Sequence, residues 1–258
     1  MEPVLEAAGL TKRFASVAAV EDVTFSLAPG QVLGCLGPNG SGKSTTVKML
    51  TGLLEPSRGK VLFCGENIQK DLVGYRKQLG YVPEEPNLYP YLTGREYLEM
   101  VGLLRGMNSG RHGRKIDALL DLFAMHPHRH SPIGSYSKGM RQRILLIAAL
   151  MDDPHLLIFD EPLSGLDVTS ALVLKNLIKA LGQRGKTIFY CSHVLEVVQQ
   201  VCSHLLILRK GVVVAYDTTE AIHSDIQNSS LERTFMHLIE EVDTEKTAEN
   251  IISAMETN

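Results

Sequence analysis

Apolar and polar positions change rhythm twice along the chain. Val32 to Leu36 is a short apolar run that ends in a glycine-rich turn, which reads as a buried strand. A helical pattern follows from about Lys43 to Leu53, and Lys60–Cys64 and Leu79–Val82 read as further strands. The middle of the chain differs. Tyr89-Pro90-Tyr91 leads into Thr93-Gly94-Arg95-Glu96, whose T-x-x-E spacing is a capping-box signature for a helix start. From there to Met151 the pattern is mostly helical, broken by a polar stretch around His126 to Ser135, so a helical lobe inserted between strands is expected. The last third returns to strands. Leu156–Phe159 runs into Asp160-Glu161-Pro162, and Thr187–Cys191 runs into Ser192-His193. Leu205–Leu208 and Val212–Val214 flank Lys210-Gly211, the pattern of a hairpin. Beyond about Ala221 the chain becomes polar and helical.

Strands alternating with helices imply a largely parallel sheet. Ligands of such sheets bind at the carboxyl ends of the strands. The polar motifs after Leu36, Phe159 and Cys191 are therefore expected to converge on one edge. Composition narrows the picture only a little. A chain of 258 residues holds one sizeable α/β domain, or one with an inserted lobe. An apolar content of 44% sets wholesale disorder aside, and a net charge of −3 gives no electrostatic footprint for nucleic acid. Cys35, Cys64, Cys191 and Cys202 form no C-x-x-C pair, which points to neither zinc nor a disulfide framework and suits a reducing cytosol. Met1-Glu2-Pro3-Val4 lacks the basic and apolar segments of a secretory leader, so none is expected. The strongly apolar run Ile144–Met151 is far shorter than the about 20 residues a spanning helix needs.

The candidate chemistry begins at Gly37-Pro38-Asn39-Gly40-Ser41-Gly42-Lys43-Ser44, which fits G-x-x-x-x-G-K-[ST]. Glycines let the backbone curl so that its N–H groups face phosphate oxygens. Lys43 would reach the β- and γ-phosphates, and the Ser44 hydroxyl would bind Mg²⁺. The helix that follows aims its positive end at the same anion. A strand before and a helix after separate this loop from a chance glycine-rich turn. Asp160 ends an apolar strand, the usual Mg²⁺-side partner of such a loop, and Glu161 is placed to polarise an attacking water. An acidic pair there can also merely cap a helix. His193, at a strand's carboxyl end, is a candidate γ-phosphate contact, although a lone histidine is often structural.

Three further segments narrow the reading. Tyr136-Ser137-Lys138-Gly139-Met140, followed by Arg141-Gln142-Arg143, lies upstream of the Asp160 strand. Ser164-Gly165-Leu166-Asp167 follows Glu161, and His193 comes one helix and one strand later. In this order the chain resembles the ABC (ATP-binding cassette) ATPase family from about Leu5 to Ala221. The resemblance implies an α/β P-loop NTPase fold of the ABC type: a mostly parallel core sheet, an antiparallel edge sheet and an inserted helical lobe. It implies an ATPase domain over residues 1–225, with the lobe at 86–151 and a short helical tail at 226–258. Phe14 looks like the aromatic that stacks on adenine. Gly37 through Thr45 resembles the Walker A loop, and Asp160 and Glu161 resemble the Walker B aspartate and the catalytic glutamate. Ser137 through Met140, Gly139 included, resembles the signature motif that binds ATP held by the opposite subunit. Asp167 looks like the aspartate that crosses the dimer interface, and His193 like the switch histidine. The implied ligands are ATP and Mg²⁺. The implied partners are a membrane-spanning permease subunit and a second ABC ATPase subunit, in a homodimer or heterodimer at the cytoplasmic face of the membrane, peripherally bound.

Two positions depart from the family's commonest pattern. Glu84 stands where a glutamine usually follows a Tyr-x-Pro strand end, and its carboxylate can still face Mg²⁺ or water. The signature reads Tyr-Ser-Lys-Gly-Met rather than Leu-Ser-Gly-Gly-Gln, and Lys138 adds a cation facing phosphate or solvent. Both departures look like those of drug, antibiotic and polysaccharide exporter ATPases, so export is expected. An importer ATPase and a soluble non-transport ABC ATPase are the alternatives. His126, His128 and His130 read as a solvated loop rather than a metal site, and Glu240, Glu241, Asp243 and Glu245 as a solvated helix face. Tyr89 and Tyr91 either pack locally or help form the groove for a membrane partner's cytoplasmic helix.

Overall fold

A computed structural model of the chain describes residues 2–107, 109–224, 249 and 252–255. The acidic stretch from Glu240 to Glu245, and most of the expected tail, lie outside the described residues. The chain opens with two long strands, β1 (Leu5–Phe14) and β2 (Val17–Leu27), paired antiparallel. The central strand β3 (Val32–Leu36) is buried along its whole length, as a strand covered on both faces must be. Helix α1 (Lys43–Leu50) follows it. The apolar pattern carries on to Leu53, but Gly52 turns left-handed at φ +67° and its N–H bonds back to Met49, so the helix stops early.

Strands β4 (Arg58–Phe63) and β5 (Glu66–Asn67) complete the first sheet, in the order β2-β1-β4-β5. A short α2 (Leu72–Gln78) leads to β6 (Leu79–Val82). Helices α3 (Gly94–Leu104), α4 (Ser109–Leu122) and α5 (Lys138–Leu150) come next. Thr93 and Glu96 make both bonds of the capping box, at 3.2 and 2.8 Å. Then β7 (Leu156–Asp160), α6 (Val168–Gln183), β8 (Thr187–Cys191) and α7 (Leu195–Val201) alternate. The hairpin β9 (His204–Arg209) and β10 (Val212–Thr218), with α8 (Thr219–Ser224), closes this part of the chain.

The second sheet runs β10-β9-β3-β8-β7-β6, parallel except for the β9–β10 pair. Its side chains alternate between two cores. Leu33, Cys35, Ile158, Phe189 and Leu206 face α1 and the first sheet. Leu36, Phe159, Ile188, Tyr190 and Ile207 face α5, α6 and α7. Each fully buried side chain of this size is worth about 1.5–3 kcal/mol. The lobe has its own apolar cluster, with Leu98, Ile116, Leu120, Ile144 and Ile147 at its centre. Helix α5 belongs to both, giving Ile144 and Ile147 to the lobe and Leu145, Leu146 and Ala149 to the sheet. It is the joint between them. No helix of the described residues is long and apolar enough to cross a membrane.

Candidate active site

Strands β7, β8 and β3 are neighbours in the sheet although their ends lie at 160, 191 and 36 in the sequence. Their carboxyl edge, together with the end of β6, walls a cleft of about 540 Å³. Ala19, Asn39, Gly40, Gly42, Lys43, Ser44, Thr45, Glu84, Asp160, Glu161 and His193 line it.

The loop from Gly37 to Gly42 is moulded by close backbone approach. A Cβ on Gly37 would lie 2.4 Å from the Leu208 carbonyl oxygen. Gly42 sits at φ +103°, and a Cβ there would lie 2.8 Å from the Ala19 carbonyl oxygen. From behind, the Gly211 N–H donates to the Ser41 carbonyl at 3.0 Å. No side chain caps α1, so its first N–H groups stay free to meet an anion. The Ser41 Oγ is buried in the loop without a hydrogen-bond partner. Lys43 is 8% exposed, and its ammonium donates to the carbonyls of Gly37 and Pro38 at 2.6 and 3.1 Å. The cradle therefore offers backbone N–H groups and one buried cation, and these suit a polyphosphate.

The opposite wall is acidic. Asp160, at the end of β7, is pushed up to about 6 by burial first, then by the charges of Glu84 and Glu161, with Lys43 and Lys48 pulling down. Ser44, Glu84 and Asp160 present only oxygen donors to the cleft, a set that suits a hard cation such as Mg²⁺. Among the described residues no three His, Cys, Asp or Glu side chains are grouped to hold a metal ion by themselves, the 126–130 histidines included. Ligands for an ion here would have to come partly from phosphate.

Glu161 is held on every side. Its backbone has φ +49°, unusual for a residue with a long side chain. Its N–H donates to the Cys191 carbonyl at 3.0 Å. Its carboxylate accepts from the His193 N–H at 2.8 Å and from the Ser192 hydroxyl at 3.3 Å, and meets His193 Nδ1 at 2.7 Å. His193, read from the sequence as a phosphate contact, lines the cleft but directs its ring nitrogen to Glu161.

Five expected site residues stand apart from the lining: the buried Ser41, and Gly37, Phe14, Ser137 and Gly139. Gly37 lies behind the loop. Phe14 is half exposed on the β1–β2 hairpin, with the Lys12 ammonium 5.7 Å from its ring centre. Ser137 caps α5, its hydroxyl accepting from the Met140 N–H at 3.2 Å. Gly139 packs so tightly that a Cβ would lie 2.5 Å from the Gly165 carbonyl oxygen. Lys138 is exposed, and its ammonium donates to the Ser164 hydroxyl at 2.7 Å. Asp167 faces its own chain. Its bonds to Ser170, and then the Arg143 guanidinium, hold its carboxyl down at about 2. Ala19 is a cleft residue that the sequence reading missed, since a small apolar side chain carries no chemical signal.

The family model described as ABC transporter matches residues 20–164. The chain is 34% identical over 221 residues to the ABC transporter ATP-binding protein NatA of Bacillus subtilis, covering 85% of this chain and 90% of that one. It is 35% identical over 218 residues to the Nod factor export ATP-binding protein I of Bradyrhizobium diazoefficiens, covering 84% and 71%. A solved structure of an ATP-binding subunit of an ABC transporter aligns with a TM-score of 0.86 at 32% identity, covering 91% of this chain and 99% of that one.

Proposed function

Because the chain belongs to the ABC transporter ATP-binding family, we propose that it hydrolyses MgATP to drive export through a separate membrane-spanning subunit. The observation that carries this reading is the meeting of Lys43, Asp160, Glu161 and His193 in one cleft. In the proposed mechanism Lys43 leaves the loop carbonyls for the β- and γ-phosphates. Loop N–H groups and the N-terminus of α1 hold the remaining oxygens. Mg²⁺, entering as part of the MgATP substrate, would supply positive charge beside the phosphates. Ser44 and Asp160 would hold it, with Glu84 beside them. Glu161 takes a proton from the attacking water, and His193 fixes the direction of that carboxylate.

Ser137 and Gly139 do not line their own chain's cleft. As phosphate contacts they would serve the cleft of another subunit, which supports a two-fold sandwich of two cassettes around two ATP molecules. Phe14, exposed on the β1–β2 hairpin, is the proposed aromatic for stacking on adenine, on the family resemblance. The Nod factor export relative supports export over import. Family membership supports a peripheral place at the cytoplasmic face, against the permease.

Glu161→Gln tests the reading. It keeps shape and hydrogen bonding but removes the charge. Hydrolysis should fall about 10²–10⁴-fold while ATP binding survives. ATP, and not ADP, should then shift the variant from monomer to dimer in size-exclusion chromatography, and adding Ser137→Arg should abolish the shift. Undiminished hydrolysis by Glu161→Gln removes the catalytic assignment. Dimerisation that ignores both ATP and Ser137→Arg removes the sandwich.

A further inference from the structure

Ser164 lies where two connections cross. Its backbone N–H donates to the Glu161 carbonyl at 3.0 Å and closes the turn after that residue. Its hydroxyl accepts from the Lys138 ammonium, 2.7 Å away on the first turn of α5. Glu161 needs such support. A left-handed backbone at a residue with a long side chain is strained and persists only where neighbours fix it. The Cys191 carbonyl fixes Glu161 from one side. The turn through Ser164 fixes it from the other.

The contact is one of a row. The Gln142 side-chain N–H donates to the Pro162 carbonyl at 3.1 Å from a fully buried position. Gly139 abuts the Gly165 carbonyl. Arg143 donates to Asp167 and Ser170. Positions 138, 139, 142 and 143 follow i, i+1, i+4 and i+5, one stripe of a helix. A single rigid face of α5 therefore grips the segment 162–170 that trails Glu161. Just before that face comes Ser137, the proposed contact for the other subunit's phosphate.

We infer that Lys138 and Ser164 are a positioning pair for hydrolysis. Their bond fixes the turn that aims Glu161, and so ties the carboxylate to the position of the Ser137 loop. This rests on the reading of Glu161 as the group that polarises water. Neither member touches the reacting atoms. The bond is exposed to solvent, so it adds little to stability. Its worth is geometric, because displacing a catalytic group by about 1 Å can cost about 10²-fold in rate.

Steady-state ATP hydrolysis by the full chain tests the pair. Lys138→Met and Ser164→Ala should each lower kcat about 10- to 100-fold, with KM for ATP and Tm unchanged. The double variant should be no worse than either single one, since both remove the same bond. Lys138→Arg, which can still donate to the hydroxyl, should recover most of the rate. Additive losses, or a wild-type kcat in either single variant, overturn the proposal. So does a raised KM in Lys138→Met with Ser164→Ala silent, which would put the ammonium on nucleotide instead. Should Lys138→Met lose its fold, Ser164→Ala carries the test, because it deletes only the acceptor. Lys43→Ala in the same assay keeps the two readings separate: its loss of hydrolysis upholds the cleft whatever the pair does, and its normal turnover removes the cleft reading itself.

Discussion

The cleft and the α5 stripe are both polar, yet they are built on opposite terms. In the cleft, charge is crowded and buried: Asp160 is 5% exposed and sits near two more carboxylates. Glu161 is bent into a costly backbone conformation. Along α5 the cations are each bonded near the surface, Lys138 to the Ser164 hydroxyl and Arg143 to the Asp167 carboxylate. The acidic wall of the first region is costly by itself and suited to the metal cation that comes with a nucleotide. The second holds its charged ends by hydrogen bonds near solvent, although Arg143 Nε and Gln142 Oε1 beneath them are buried without a partner.

Changes to the cleft should therefore move stability as well as activity, and changes to the stripe should leave stability nearly unchanged. The largest is expected from Lys43→Ala, which should abolish ATP hydrolysis and weaken ATP binding, measured by turnover and by nucleotide titration. Asp160→Asn should do the reverse to stability. At neutral pH a shift from 3.8 to about 6 corresponds to a penalty of about 2–3 kcal/mol in the nucleotide-free protein. Removing the charge should raise Tm by several degrees while activity is lost. The sign follows from linkage. Below pH 3.8 both states carry the proton and the gain from Asn vanishes; it grows as pH rises to about 6 and is then complete. The smallest effect is expected on the stripe. Arg143→Met should cost under about 1 kcal/mol of stability. Asp167 has the opposite linkage to Asp160. Its depressed carboxyl contributes above pH 3.8, and the contribution is lost as pH falls towards 2. A Tm loss from Arg143→Met as large as the gain from Asp160→Asn would erase the distinction between the two regions.

What the sequence made legible was local. The loop 37–44, the strands at 79–82 and 187–191, the capping box at Thr93 and the Lys210-Gly211 hairpin all announce themselves within a few residues. The first two strands did not. Left-handed Gly9 and register shifts between Ala7 and Leu10, and between Leu10 and Lys12, break the two-residue alternation that would mark them. Side-chain partners were also hidden. Lys138 and Ser164 are 26 residues apart, and Glu161 and His193 are 32 apart. No spacing rule says which way a lysine or a histidine turns once the sheet has brought such segments together.

The strand order has a consequence in time. Strand β3 is among the first parts of the chain to be made, but its neighbours are β8 and β9, which end at 191 and 209. During synthesis at about 5–20 residues per second, Val32–Leu36 must wait on the order of ten seconds or more for both partners. Until then an apolar strand destined for the centre of a sheet has neither edge paired. The emerging chain can hold Lys43 and Asp160, yet it has no complete nucleotide cleft until Cys191 has left the ribosome. A ribosome-bound fragment should thus be open to chaperones and proteases for most of its synthesis, and protected abruptly near the end.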